Sequence, residues 1–417
     1  MGLPHLDWLY PGIGLKRWVA LAVVGGLLVV VSLIVAAGVL WSDDLLRALG
    51  LGWLVKRRYA GAVLVLDGVV AGSVALAVGV RRAWVWRRTN PETASEIRES
   101  TRLARGPRIA AVGGGNGLAA LLSGLKAYTS NVTAVVTMAD DGGSSGRLRR
   151  DLGLPPPGDI RNCLVALADD ESLMSRLFRY RFADGGLEGH SFGNLFVAAL
   201  AEVTGDFERA VQESTHVLRV RGRVLPATLD DVVLHAQLEG GAEVSGESTI
   251  TAADRLPRRV WLTPEEPRAL PQAVESIVDA DMVVLGPGSL YTSVIPNLLI
   301  PEVRKAVRRT RAWVVYVCNV MTEPGETDGY TAADHLEALY RHGIAGMVDV
   351  VLVNDAPVTG APALAYERAG ATPVVPDEER LRALGVRVVR AALAQSGDEV
   401  VRHDPSRLSE ALLRILR

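Results

Sequence analysis

The sequence predicts an α/β fold: a mostly parallel sheet with helices on both faces, a small antiparallel insertion, and two apolar helices ahead of it. Three observations carry this. Short, wholly apolar runs recur from residue 109 onward, and each ends in a loop rich in Gly, Asp or Asn. Between them lie stretches with apolar residues at helical spacing, Leu118, Leu121, Leu122 and Leu125 being the first set. Continuous apolar strands joined through helices are the pattern of a buried parallel sheet with right-handed crossovers.

Composition supports a large folded body. Of 417 residues, 49% are hydrophobic, which excludes global disorder. Lys and Arg number 45 against 47 Asp and Glu, a net charge of −2, so no basic excess points to nucleic acid. The two cysteines, Cys163 and Cys318, exclude a disulfide scaffold and a Cys-rich zinc site and suit a reducing compartment.

The N-terminal part is the most apolar. Trp18–Trp41 carries no charge, and a helix needs about 20 such residues to cross a bilayer. A second run, Ala60–Val80, contains the single carboxylate Asp67. The expectation is a transmembrane hairpin over residues 1–86, with spans at about 18–41 and 60–80. Lys16, Arg17, Arg81, Arg82, Arg87 and Arg88 flank the pair, against Arg47, Lys56, Arg57 and Arg58 between the runs. That bias places both termini inside, making the chain a multi-pass cell-membrane protein with its large domain in the cytoplasm. Residues 87–106 are polar and read as a linker, with room for a short helix. Residues 107–417 then form the α/β domain.

Within that domain, Ile109–Val112 leads into Gly113-Gly114-Gly115-Asn116-Gly117, a helix, and the strand Val132–Met138. The texture shortens between 217 and 262, where Val232–Leu238, Glu243–Ile250 and Arg259–Leu262 read as strands of an antiparallel insertion. Met282–Leu285 runs into Gly286-Pro287-Gly288-Ser289, Trp313–Cys318 into Asn319, and Val350–Val353 into Asn354-Asp355. Thr331-Ala332-Ala333-Asp334 opens a helix as a capping box. Val386–Leu393 is a further strand, and Asp404-Pro405 starts the last helix. Ligands of open α/β sheets bind at the carboxyl ends of the strands, so these loops are expected to meet.

Their residues suggest anion chemistry. The loop Gly113–Gly117 presents backbone N–H groups at a helix N-terminus, which attracts phosphate. It is no Walker loop, and Leu118 stands where a dinucleotide fingerprint wants its third glycine. Asp140-Asp141-Gly142-Gly143-Ser144-Ser145-Gly146-Arg147 offers an anion nest, or a pair of carboxylates for Mg²⁺ beside a diphosphate. Asp159 reads as the N-cap of a helix through Leu167, which puts Arg161 in a first turn where a bound phosphate would offset its clash with the helix dipole. Gly189-His190-Ser191-Phe192-Gly193-Asn194 precedes an apolar helix, with His190 placed to donate to phosphate or move a proton. Gly288 and Ser289 supply further donors.

The strings GGGNGLAALLSGLK, TMADDGGSSGRLRRDLGLPPPGDIRNCLVALA, GHSFGNL, LGPGSLYTSVIPNLLI and YVCNVMTEPGETDGYTAADHL resemble the YvcK family, the gluconeogenesis factors, of the 2-phospho-L-lactate transferase superfamily. The resemblance covers about 108–355. It implies a Rossmann-like domain binding a UDP-sugar such as UDP-N-acetylglucosamine, with a role in carbon metabolism, cell-wall precursor supply and cell shape. It also implies a ligand shell of Gly113, Gly114, Gly115, Asn116, Gly117, Asp140, Asp141, Ser144, Ser145, Arg161, Asn162, His190, Asn194, Gly288 and Ser289.

The chain therefore reads as a nucleotide-sugar-binding regulator without turnover. The partners envisaged are the nucleotide, the membrane and a second copy of the chain. The alternative is a Mg²⁺-dependent phospholactate-type transferase, with Asp140 and Asp141 on the metal and Asp141 or His190 in catalysis. Against it, the first loop reads Gly-Gly-Asn-Gly where the transferases generally carry Gly-Gly-Thr-Gly. A nicotinamide dehydrogenase is disfavoured by the missing glycine.

Overall fold

The computed structural model describes residues 16–41, 48, 50, 58–89, 91–168, 172–253, 255–359, 361–396 and 401–417. The described chain divides between Arg102 and Leu103 into two compact units.

The first unit is built on two long helices, Lys16–Trp41 and Arg58–Thr89, and on most of the helix Pro91–Ala104, which occupies most of the stretch read as a linker and whose last two residues belong to the second unit. The long pair run antiparallel and touch through small residues. A Cβ on Gly25 would lie 2.6 Å from Gly72 O, and one on Gly79 would lie 2.6 Å from Trp18 O. Among the described residues no helix is long and apolar enough to cross a membrane. This overturns the expected transmembrane hairpin, the multi-pass membrane location and the cytoplasmic placement argued from them. The physical reason lies in what the uncharged runs contain. Much of each is Gly, Ala and Ser, which bring two helix backbones together, and the second helix also takes in Arg58, Asp67, Arg81 and Arg82. Arg47, Lys56 and Arg57, used in the orientation argument, lie outside the described residues.

The second unit is organised by a seven-stranded sheet in the order β10-β9-β8-β7-β1-β2-β3. The strands are β1 (Ile109–Gly113), β2 (Val132–Val136), β3 (Arg223–Pro226), β7 (Met282–Leu285), β8 (Trp313–Val317), β9 (Val350–Asn354) and β10 (Arg387–Ala391), and every neighbouring pair is parallel. β1, β2 and β7 are buried along their whole length, as continuous apolar runs require. Helices cover the sheet. Leu118, Leu121, Leu122 and Leu125 of the helix Gly115–Leu125 are fully buried, each contributing about 1.5–3 kcal/mol by leaving water. This is the expected Rossmann-like α/β architecture.

A separate antiparallel sheet has the order β5-β4-β6, from β4 (Val233–Leu238), β5 (Glu243–Ser245) and β6 (Pro257–Thr263). Two details differ from the sequence reading. Arg223–Pro226, inside the stretch read as insertion, is an edge strand of the main sheet. Glu243–Ile250 is not one strand: Gly246 at φ +95° ends β5, and Glu247–Thr251 is helical. Near the C-terminus, β11 (Ala394–Ser396) and β12 (Val401–His403) form a two-stranded hairpin, and the closing helix Pro405–Ile415 is capped by Asp404, whose carboxylate accepts from Ser406 and Arg407 N–H.

The capping box is present. Thr331 Oγ1 accepts from Asp334 N–H at 3.3 Å, and Asp334 Oδ2 accepts from Thr331 N–H at 2.8 Å. Thr331→Ala is expected to cost about 1 kcal/mol of stability, measured by urea unfolding; a variant as stable as the parent would show that the box contributes nothing.

Candidate functional site

The chain order of the main sheet reverses between β1 and β7, and in an open α/β sheet the crevice at such a reversal is the ligand site. The loop after β1 enters the helix Gly115–Leu125 through Gly114, which offers no side-chain cap. Gly115 N–H donates to the Asp159 carboxyl, and the other first-turn N–H groups face outward at the positive end of the helix. The loop after β7 lies against it. A Cβ on Gly117 would meet Pro287 O at 2.6 Å and Gly288 N at 2.9 Å, so only glycine lets the two backbones approach this closely. Asn297 ties the end of β1 to the helical turn that follows the second loop, donating from Nδ2 to Gly113 O at 3.2 Å and to Ser293 O at 2.8 Å. Behind them Glu326, 2% exposed, accepts from Tyr291 N–H at 2.8 Å and Thr292 N–H at 3.0 Å. Burial and the neighbouring Glu323 push its carboxyl well above the usual range.

These loops floor a cleft of about 400 Å³. Gly115, Asn116, Gly117, Gly288 and Ser289 line it as the sequence suggested, and Asn319 joins them from the end of β8. Gly113 closes β1 beneath them, and Gly114 sits against Asp159, where a Cβ would fall 2.4 Å from Oδ2.

The carboxylates gather beside this floor. Asp140 Oδ1 accepts from Gly142 N–H at 2.9 Å, and burial raises its pKa. Asp141 turns to the insertion, its Oδ1 accepting from Ser248 N–H at 2.8 Å. Asp159 is not an N-cap. It lies in the first turn of the helix Gly158–Leu167, and its carboxyl faces the Gly114–Gly115 turn and the cleft. Burial and the Asp140 charge raise it to about 6. Glu247 also lines the cleft, its Oε2 buried without a partner. Burial, with Asp140, Asp159 and Asp141 nearby, holds its carboxyl well above the usual range. Among the described residues no group of three or more His, Cys, Asp or Glu is placed to hold a metal by itself.

Ser144 and Ser145 occupy the first turn of the helix Gly143–Leu152 and are buried. Ser144 Oγ lies 3.0 Å from His190 Nδ1, a pairing that separation in sequence concealed. Burial and Arg147 lower the His190 pKa, so the ring is neutral near pH 7. Arg161 Nη2 donates to Asn162 Oδ1 at 2.6 Å, and Asn194, 2% exposed, takes its place in the first turn after the cap Ser191. Ser144, Ser145, Arg161, Asn162, His190 and Asn194 thus lie beside the cleft rather than in its lining.

Sequence reasoning missed Glu247, Glu323, Arg402 and His403, all of which line the cleft. The signal for Glu247 was Gly246, which breaks the strand before it. Arg402 and His403 belong to β12, too short to show a period.

Residues 109–394 match the family model "2-phospho-L-lactate transferase CofD". The gluconeogenesis factor of Bacillus subtilis is 50% identical over 312 residues, covering 75% of this chain and 98% of that protein. A relative from Nostoc sp. is 44% identical over 426 residues, 98% of this chain and 91% of its own. A solved structure, a member of the UPF0052 family from Bacillus halodurans, is 50% identical with a TM-score of 0.71, covering 73% of this chain and 99% of that one.

Proposed function

We propose that this chain, which belongs to the 2-phospho-L-lactate transferase CofD family and stands among its gluconeogenesis factors, binds a nucleotide sugar in the cleft between β1 and β7. The reading makes it a regulator of carbon metabolism and cell-wall precursor supply, and through them of cell shape, with a UDP-sugar such as UDP-N-acetylglucosamine as its ligand. The observation that supports it most is the approach of Gly117 to the Pro287–Gly288 backbone. It joins a helix N-terminus whose cap residue has no side chain to a second glycine loop at the reversal of the sheet, a setting suited to linked phosphoryl groups.

The carboxylates of the cleft bear on how a diphosphate could stay there. Asp159 and Glu247 would repel it unless a cation came with it. Mg²⁺ needs only one or two carboxylates when substrate phosphates supply other ligands, and the partnerless Glu247 Oε2 fits that demand. Asp159 and Glu247, backed by Asp140, are the residues that would hold such an ion; Asp141, engaged by Ser248, is the poorer candidate. Bound there, the ion would neutralise the diphosphate. The residues of the chain would orient it: the Asn116 and Gly117 amides, Gly288 and Ser289 on the phosphates, Asn319 alongside.

The test is thermal unfolding of the full chain with UDP-N-acetylglucosamine, GDP and NAD, each with and without Mg²⁺. A ligand at about 100 times its dissociation constant adds about 2.7 kcal/mol. The expected result is stabilisation by the UDP-sugar, strengthened by Mg²⁺, with mass spectrometry finding the ligand unchanged. Conversion of the ligand would favour the transferase reading, and stabilisation by none of the three would overturn nucleotide binding.

A further inference from the structure

Three guanidinium groups wrap the segment 188–194 outside the cleft. Arg147 Nη2 donates to Glu188 O at 2.8 Å, and Arg181 Nη1 donates to Gly189 O. Arg161 lies against Gly193, where a Cβ would come within 2.8 Å of its Cγ and Cδ. Among the described residues none of the three makes an ion pair. Burial and Arg181 together lower the pKa of the Arg161 guanidinium, against the opposing pull of the Asp159 and Asp140 carboxylates.

The same cluster holds donors with nothing to bind. Arg147 Nε and Arg161 Nε are buried without a partner, as is the side-chain oxygen of Asn194, itself 2% exposed. Turned over about its terminal bond, the Asn194 amide presents an N–H at the same place. The hydroxyl of Ser144, against neutral His190, completes the ring. Buried guanidinium N–H groups left without a hydrogen-bond partner match the oxygens of a phosphate.

We propose that Arg147, Arg161, Arg181, Ser144, His190 and Asn194 form a second, anion-selective subsite that takes a terminal phosphate, as free phosphate or on a small phosphomonoester. It deepens the nucleotide-sugar reading, on which it rests for its neighbour: one ligand fills the cleft and the phosphate sits beside it. The two occupants are separable, since none of the six residues lines the cleft.

Calorimetric titration of the full chain with inorganic phosphate, with glycerol 3-phosphate and with UDP-N-acetylglucosamine tests this. Phosphate is expected to bind one to one, with the same affinity whether or not the UDP-sugar is present. Arg181→Ala and Arg147→Ala are each expected to weaken it about ten- to a hundredfold, as loss of a charged hydrogen bond does, while UDP-sugar affinity stays unchanged. Exposed Arg181 is the position whose alanine variant keeps the fold, and unchanged melting of Arg181→Ala checks this. Tighter binding of glycerol 3-phosphate than of phosphate would identify an organic phosphomonoester; equal binding would identify the free ion. No phosphate binding, competition with the UDP-sugar, or parental affinity in both alanine variants overturns the subsite. Arginine-dependent phosphate binding without any UDP-sugar binding would keep the subsite and sink the nucleotide-sugar reading.

Discussion

Gly117→Val is expected to abolish ligand binding in the cleft and to cost about 1–3 kcal/mol of stability. The reason is that the atoms a side chain would meet cannot step aside. A Cβ at 117 falls 2.6 Å from Pro287 O, 2.8 Å from Pro287 C and 2.9 Å from Gly288 N, all backbone. No rotamer relieves this, so the loops after β1 and β7 must part, and the amides they aim into the cleft move with them. Displacement of about 1 Å at a preorganised site costs on the order of a hundredfold. Gly117→Ala makes the milder comparison, placing only the Cβ. Calorimetric titration with the UDP-sugar and urea unfolding read the two effects separately. Parental affinity in the alanine variant would show that the two loops do not act together.

Asp159→Asn is expected to make the protein more stable at pH 8 and no more stable at pH 4. The Asp159 carboxyl is raised from 3.8 to about 6, mainly by burial and then by the Asp140 charge. A carboxyl with a raised folded-state pKa prefers to be protonated, so it penalises the folded state only when ionised. The penalty is absent below pH 3.8, grows between 3.8 and about 6, and is complete above that. A gap of about two pH units corresponds to about 3 kcal/mol, and the partial exposure of the residue brings the expected gain at pH 8 to about 1–3 kcal/mol. The measurement is urea unfolding of both proteins across pH 4–8. Parallel pH profiles would mean that the Asp159 charge carries no strain. If the gain appears together with weaker Mg²⁺-assisted ligand binding, the carboxylate is kept for function at the expense of stability, as sites commonly are.

Much of this was legible in the residues, for reasons that can be named. Met282–Leu285 is one strand in sequence and in structure because a strand buried on both faces has no polar position to blur its ends. The capping box at Thr331 and the Asp404-Pro405 helix start are encoded within four residues, so local chemistry fixes them. The glycine loops were visible because a close backbone approach admits no other residue. Asp159 was misread for a complementary reason. As a helix cap it was judged against its own helix, whereas its carboxyl is claimed by the Gly114–Gly115 turn far away in sequence. The Ser144–His190 contact joins residues 46 apart and leaves no period or spacing to detect. The N-terminal runs misled because hydropathy counts the absence of charge, while Gly25, Gly72 and Gly79 serve contact between helices.

The side chain of Asn297 grips the last carbonyl of β1 and the Ser293 carbonyl in the helical turn that follows the second loop. Whatever enters the crevice therefore meets a base that resists splaying, because moving the end of β1 drags that turn with it. Discrimination among guests of similar phosphate chemistry falls to the facing wall, where Arg402 and His403 come from the short hairpin near the C-terminus. A graft of that hairpin from a relative should thus retune which guest is preferred while leaving the anchoring of its anionic end intact.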